Sequence, residues 1–278
     1  MLEKIVVPVG GEEKVGEIAS FVSSMVSKRH FAVHGLGIVD IEGIVASLSG
    51  APPGAIGMAD EAVKKVSSSE KGRLKEFVTS MGRHFERKKI TYTFKVAEGD
   101  PRDEILRRCI GSDLLVIHRE SVFSYSREKE SHDFFADVIS RSPVPVLLLA
   151  GDSSKLQGKT VGVASDFSSD AFHAIYAFLH LGIFPGSRIV FSHVSTGEGP
   201  ERRFAPYQAF FQLHGFENVE EVILKGEKDS AIRRFVETEN IGLLIIGKRG
   251  ESKLMEYLFG SLTNALIDNP ACSLFIHE

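Results

Sequence analysis

The stretch Leu243-Leu244-Ile245-Ile246-Gly247-Lys248-Arg249-Gly250, with Gly260-Ser261 following after nine residues, decides how this chain reads. Four apolar residues ending at a glycine describe a strand buried on both faces. The loop beyond it can approach a ligand closely, because glycine carries no side chain. A helical segment, about Ser261 to Asp268, closes before Asn269-Pro270. Gly260 and Ser261 then sit at a helix N-terminus, where unpaired N–H groups and the helix dipole attract anions. Lys248 and Arg249 either add positive charge there or face solvent. Glycines alone would mark only a turn; their spacing between strand and helix is what points to a phosphate.

Working outward, the same strand recurs earlier in the chain. Leu114-Leu115-Val116-Ile117 matches Leu243-Leu244-Ile245-Ile246 at an offset of 129. Val96-Ala97-Glu98-Gly99 matches Ile223-Leu224-Lys225-Gly226 at 127, and the runs beginning at Lys4 and Phe31 match those at Thr160 and Ser187 at 156. The final apolar runs, Val144 to Leu149 and Cys272 to Ile276, also correspond. Five matched strands in one order indicate an internal repeat. The drop in offset puts an insertion in the first copy, at about 41–89. It contains the loop chemistry of Ser49-Gly50-Ala51-Pro52-Pro53-Gly54 and a charged helix from about Ala59 to Lys89.

Between the strands lie helical stripes. Val15, Ile18, Ala19, Val22, Met25 and Val26 recur at three- and four-residue spacing in Glu12 to Arg29. Asp103 to Arg108 and Asp229 to Val236 carry similar patterns. Alternating strands and helices predict an α/β fold. The expected architecture is two tandem doubly wound units, each a five-stranded parallel sheet with helices on both faces, packed as a pseudo-twofold pair. The domains run 1–150 and 158–278. An uncovered apolar edge strand invites aggregation, and the two final strands can cover each other.

Composition narrows the function. The 278 residues carry 33 Lys plus Arg against 37 Asp plus Glu, and a net charge of −4 gives no basic footprint for nucleic acid. No run approaches the roughly 18 apolar residues of a membrane helix, and the N-terminus turns acidic too early for a secretory signal. Cys109 and Cys272 lie far apart, without a CxxC pair, so neither a disulfide framework nor a zinc cage is readable. A reducing, cytoplasmic setting is expected. No Walker A loop, HExxH or GxSxG motif occurs.

Gly247-x-x-Gly250-x9-Gly260-Ser261 resembles the ATP-binding signature of the universal stress protein family. Val163-Ala164-Ser165-Asp166-Phe167-Ser168 resembles that family's first strand and its aspartate, and Phe191-Ser192-His193-Val194 its second strand. Asn269-Pro270-Ala271-Cys272-Ser273 resembles the lead into its last strand. The likeness is strong over 158–278 and weaker in the first copy, where Glu98-Gly99-Asp100-Pro101 carries it. It implies ATP, or ADP or AMP, as cofactor, with Mg²⁺ accompanying the phosphates. It implies that Asp166 contacts ribose or adenine and that Val194 contacts adenine through its backbone. Gly247, Gly250, Gly260, Ser261 and Leu262 would hold the phosphates. His193 is expected to be a satisfied, semi-buried histidine.

The first copy breaks the pattern. Gly10 stands where the second copy has Asp166, His118 replaces Gly247, Ser121 replaces Gly250, and Asp133-Phe134 replaces Gly260-Ser261 in a longer loop. A carboxylate there opposes phosphate. His118 and His132 flank the altered loop as candidates for a metal, or as structural or exposed histidines. The resulting expectation is an ATP-binding stress-response protein, no enzyme beyond slow hydrolysis, whose first copy is a degenerate partner. Its partners would be the nucleotide, its own second half and a further copy of the chain. The alternative is an interaction scaffold needing no nucleotide, with the insertion, including Pro52 to Met58, as a contact surface.

Overall fold

The computed structural model describes residues 2–10, 15–25, 31–48, 56–125, 132–151, 160–194, 201–248, 266–267 and 272–278. It is a mixed α/β structure with a large, mostly parallel sheet. By contacts the chain divides into one unit of Glu3–Ser23 and His30–Pro143, and another of Met1–Leu2, Ser24–Arg29 and Val144–Glu278.

The first unit contains β1 (Lys4–Val9), α1 (Val15–Met25), β2 (Ala32–Asp40), α2 (Ile41–Leu48), α3 (Ile56–Arg87), β3 (Thr91–Gly99), α4 (Pro101–Cys109), β4 (Leu114–His118) and α5 (His132–Arg141). The strand order is β3-β2-β1-β4, with β1 parallel to both neighbours. β1 and β4 are apolar and almost wholly buried, as a central parallel strand requires. The predicted insertion forms α2 and the long α3, which packs on β2 and β3. α4 starts at Pro101, whose missing N–H costs nothing in a first turn. Asp100 caps that turn by accepting from the Arg102 and Asp103 amides.

The second unit contains β5 (Val146–Leu149), β6 (Thr160–Ala164), α6 (Ser169–Leu181), β7 (Ile189–Val194), α7 (Glu201–Leu213), β8 (Val219–Leu224), α8 (Lys228–Thr238), β9 (Ile241–Gly247) and β10 (Ser273–His277). Its strand order is β5-β10-β9-β6-β7-β8. The chain winds outward from β6 to β7 and β8, then crosses back to β9 and β10. Right-handed crossovers put α6 and α7 on one face and α8 on the other. Rings of α6 and α7 do touch, with Phe172 and Phe210 centroids 5.7 Å apart. α6 is capped by Ser168, whose hydroxyl accepts from the Ala171 amide, and ends at the left-handed Gly182.

All five strands expected of each copy are present. β5 runs antiparallel to β10, with Val146, Leu147 and Leu148 opposite Ile276, Phe275 and Leu274. The Ala150 amide extends this pair by donating to the Ser273 hydroxyl. Two apolar strands that would otherwise offer open edges are thereby paired. Among the described residues no helix is long and apolar enough to cross a membrane.

Candidate functional site

In the second unit the carboxyl ends of β6, β7 and β9 adjoin, and β6 and β9 flank the point where the strand order reverses. The expected residues Asp166, Val194 and Gly247 stand at these three ends. This is where doubly wound sheets collect ligands.

Asp166 follows β6 in a tight turn. One of its oxygens, Oδ1, accepts from the Ser168 amide at 3.0 Å, and the Ser165 hydroxyl accepts from the Phe167 amide at 3.0 Å. Phe167 between them has a φ of 61°, in the left-handed region that few side chains adopt. The strain is offset by the ring's surroundings: Phe191, His193 and Tyr207 centroids lie 5.7, 5.0 and 5.7 Å away, and the Arg203 guanidinium sits 5.7 Å over the face. Burial, then the Asp166 charge, raises the Tyr207 hydroxyl above its ordinary pKa.

Gly247 is a glycine for a packing reason. A Cβ on it would lie 2.9 Å from the Ala171 nitrogen and 2.9 Å from the Asp170 carbonyl carbon, at the start of α6. The missing side chain lets β9 end against the first turn of α6. Val194 ends β7 in register with Leu224 of β8. His193, 4% exposed, has its Nε2 3.0 Å from Glu221 Oε1, as a satisfied histidine should. Gly250, Gly260, Ser261 and Leu262 lie outside the described residues, as does Arg249.

Lys248 does not face solvent, one of its two expected placements. It is 2% exposed, its amide donates to the His277 carbonyl, and its ammonium lies 3.9 Å from a Glu278 carboxylate oxygen. The reason is register: β10 ends level with β9, His277 opposite Gly247, and the His277 carbonyl takes the Lys248 amide as the next rung. Sequence reasoning also passed over Arg203 and Tyr207. Arg203, Tyr207 and Phe210 recur at helical spacing in α7, and that periodicity was their available signal.

The equivalent end of the first unit is closed by its own chain. Gly10 directly follows β1, and a Cβ there would lie 2.0 Å from the Val122 carbonyl oxygen. Phe123 stacks on Phe134 at 5.5 Å and 19°, and the Tyr125 amide donates to Asp40 Oδ2 at 3.0 Å. The segment 119–125 thus lies over the strand ends. His118 is fully buried. Its Nδ1 accepts from the Glu120 amide, which puts the neutral ring's proton on Nε2, 3.9 Å from Glu17 Oε2. His132 begins α5. Beside the closed end remains a cavity of about 230 Å³, lined by residues that include Gly10, Ile38, Asp40, Arg73 and Phe123.

Comparison with known proteins agrees with this architecture. The sequence model of the universal stress protein family matches residues 201–277. No curated protein matches the chain. Among solved structures, a universal stress protein from Archaeoglobus fulgidus aligns over 99% of this chain and 98% of its own, with a TM-score of 0.68 at 18% identity. The cytoplasmic domain of a prokaryotic cation chloride cotransporter aligns over 99% of this chain and 95% of its own, with a TM-score of 0.52 at 10% identity. The likeness to the cotransporter domain concerns the fold alone. Residues 201–277 thus match the universal stress protein family model, and the chain over its full length has the fold of a universal stress protein.

Proposed function

We propose that this protein binds ATP, or its products ADP or AMP, in the second copy and acts as a regulatory, stress-responsive binder in the cytoplasm. One arrangement carries the reading: Asp166 just beyond β6, Val194 at the end of β7 and Gly247 at the end of β9 lie together at the reversal of strand order. The residues described there suit the adenosine end of a nucleotide. An acid, an aromatic ring and a strand's backbone end offer a ribose acceptor, a stacking surface and an edge for adenine. Asp166 would take the ribose or adenine, and the Val194 backbone the adenine edge. Gly247, with Gly250, Gly260, Ser261 and Leu262, would hold the phosphates by their N–H groups, with Mg²⁺ alongside. Arg203, over the Phe167 ring, would add positive charge nearby.

The first copy serves as a structural partner without nucleotide. Its support is the Val122 backbone lying over Gly10, which leaves no room for an aspartate equivalent to Asp166. Binding rather than catalysis is the proposed role, with hydrolysis at most slow. Rapid hydrolysis needs a base poised to orient water, and in this reading Asp166 is taken up by the ribose or adenine. The two copies would be each other's internal partner, and a homodimer a further assembly.

The test uses the full chain purified without added nucleotide, denatured, and assayed for what it releases. Recovery of ATP, ADP or AMP, and an ATP-dependent thermal shift lost in Asp166→Ala, support the reading. Absence of both leaves the scaffold alternative. Sustained phosphate release abolished by Asp166→Ala would overturn the non-enzymatic role.

A further inference from the structure

A second group of side chains lies on the helical face formed by α6 and α7. His180 ends the α6 aromatic stripe, and His214 follows α7 directly. The two imidazole centroids are 5.4 Å apart, at an interplanar angle of 50°. Each ring is tied to its own backbone: His180 Nδ1 lies 3.0 Å from the Tyr176 carbonyl and His214 Nδ1 lies 2.9 Å from the Phe210 carbonyl. A carbonyl can only accept, so both Nδ1 atoms carry protons. In the neutral rings both Nε2 atoms then hold lone pairs.

Fixing Nδ1–H on a backbone carbonyl is how proteins orient histidine ligands and set their tautomer. Both rings are also held from the side. His180 stacks on Tyr176 at 3.8 Å and 26°, and His214 meets Phe210 edge-on at 4.6 Å and 71°. The spacing suits a shared ion. A metal about 2.1 Å from each Nε2 sets the ring centroids roughly 4.5–5.5 Å apart at ligand angles near 90–115°. His180 is exposed and His214 half-buried, so the ion would have access from solvent.

We propose that His180 and His214 form a two-imidazole site for a borderline divalent transition-metal ion such as Zn²⁺, Ni²⁺ or Cu²⁺. Water completes the coordination sphere. No group of three or more His, Cys, Asp or Glu that could hold a metal occurs among the described residues, so the site is open, with positions left for outside ligands. Two neutral nitrogens select these ions over Mg²⁺, which prefers oxygen. The site is therefore distinct from any Mg²⁺ that accompanies a nucleotide near Asp166.

The experiment uses the untagged full chain, stripped with chelator and titrated with Zn²⁺ by calorimetry. Wild-type protein is expected to bind one equivalent that is lost in His180→Ala and in His214→Ala, while His173→Ala and Asp166→Ala retain it. Loading with Cu²⁺ provides a readout that a merely structural histidine would not move. Its electron paramagnetic resonance spectrum should show coupling to two imidazole nitrogens in the wild type and to one in either single variant. Unchanged Zn²⁺ stoichiometry in both histidine variants, or no binding by the wild type, would overturn the proposal.

Discussion

Val122 and Gly10 are in backbone contact: a Cβ on Gly10 would stand 2.0 Å from the Val122 oxygen, 2.5 Å from its carbonyl carbon and 2.9 Å from its nitrogen. The neighbour is main chain, so it cannot rotate away as a flexible side chain would. Gly10→Ala is expected to destabilise the protein by about 1–3 kcal/mol, the usual effect of overpacking. Gly16→Ala in α1 is the control, since nothing lies within 4 Å of its Cβ position. That change should stabilise by roughly 0.5–1 kcal/mol, because alanine suits a helix better than glycine. Urea denaturation of the two variants checks both signs.

Gly247→Ala pushes a methyl group into the first turn of α6, at the Asp170–Ala171 peptide. A loss of about 1–3 kcal/mol is expected here as well. A nucleotide-dependent thermal shift, if present in the wild type, should also weaken, because the end of β9 and the start of α6 must separate. A Gly247→Ala protein with unaltered stability and unaltered shift would refute the close approach.

His277 makes stability depend on pH. Burial, aided by the Lys248 and His173 charges and opposed by Glu278, lowers its pKa to about 4. The unfolded value is about 6.5. Between these values the unfolded chain takes up a proton that the folded protein refuses, so the contribution is full above pH 6.5 and declines as pH falls toward 4. With partial solvent screening allowed for, about 1–2 kcal/mol should be lost across that window. Denaturation at pH 7.5 and at pH 4.5 measures it, and His277→Phe should flatten that part of the slope.

Cys109 is buried in α4, and burial pushes its thiol up to about 12, against a smaller opposing effect of a hydrogen bond with Ser142. The thiolate is the reactive form. At pH 8 the folded protein should therefore leave Cys109 unmodified by a disulfide reagent, with labelling only as fast as the unit opens. Mass spectrometry of a labelling time course checks this. Prompt modification under native conditions would contradict the burial.

Much of this was legible in the sequence. Runs such as Leu114 to Ile117 and Leu243 to Ile246 are apolar at every position, and only a strand covered on both faces uses such a run economically. The repeat then carried each copy's winding order. The placement of candidate residues was legible where a strand end fixes it, as at Asp166, Val194 and Gly247. It was not legible where a segment folds back. Nothing in Arg119 to Tyr125 says that Val122 will lie on Gly10, a residue far away in sequence. Lys248 misled for a related reason: its burial is decided by how far β10 extends, not by its own neighbours. The α7 aromatics had a periodicity, but periodicity alone does not separate a core ring from one beside a site.

The β5–β10 pair bears on how the protein is made. The Ala150 amide and the Ser273 hydroxyl it meets are 123 residues apart. During synthesis β5 leaves the ribosome well before β10, so an apolar strand must wait while β6 to β9 are still being translated. Contacts of such long range form slowly, and exposed strand edges are where half-made chains associate wrongly. The protein's most vulnerable moment therefore falls between translation of Val146 and translation of Ile276. A genetic division of the chain after β5 would make that interval permanent.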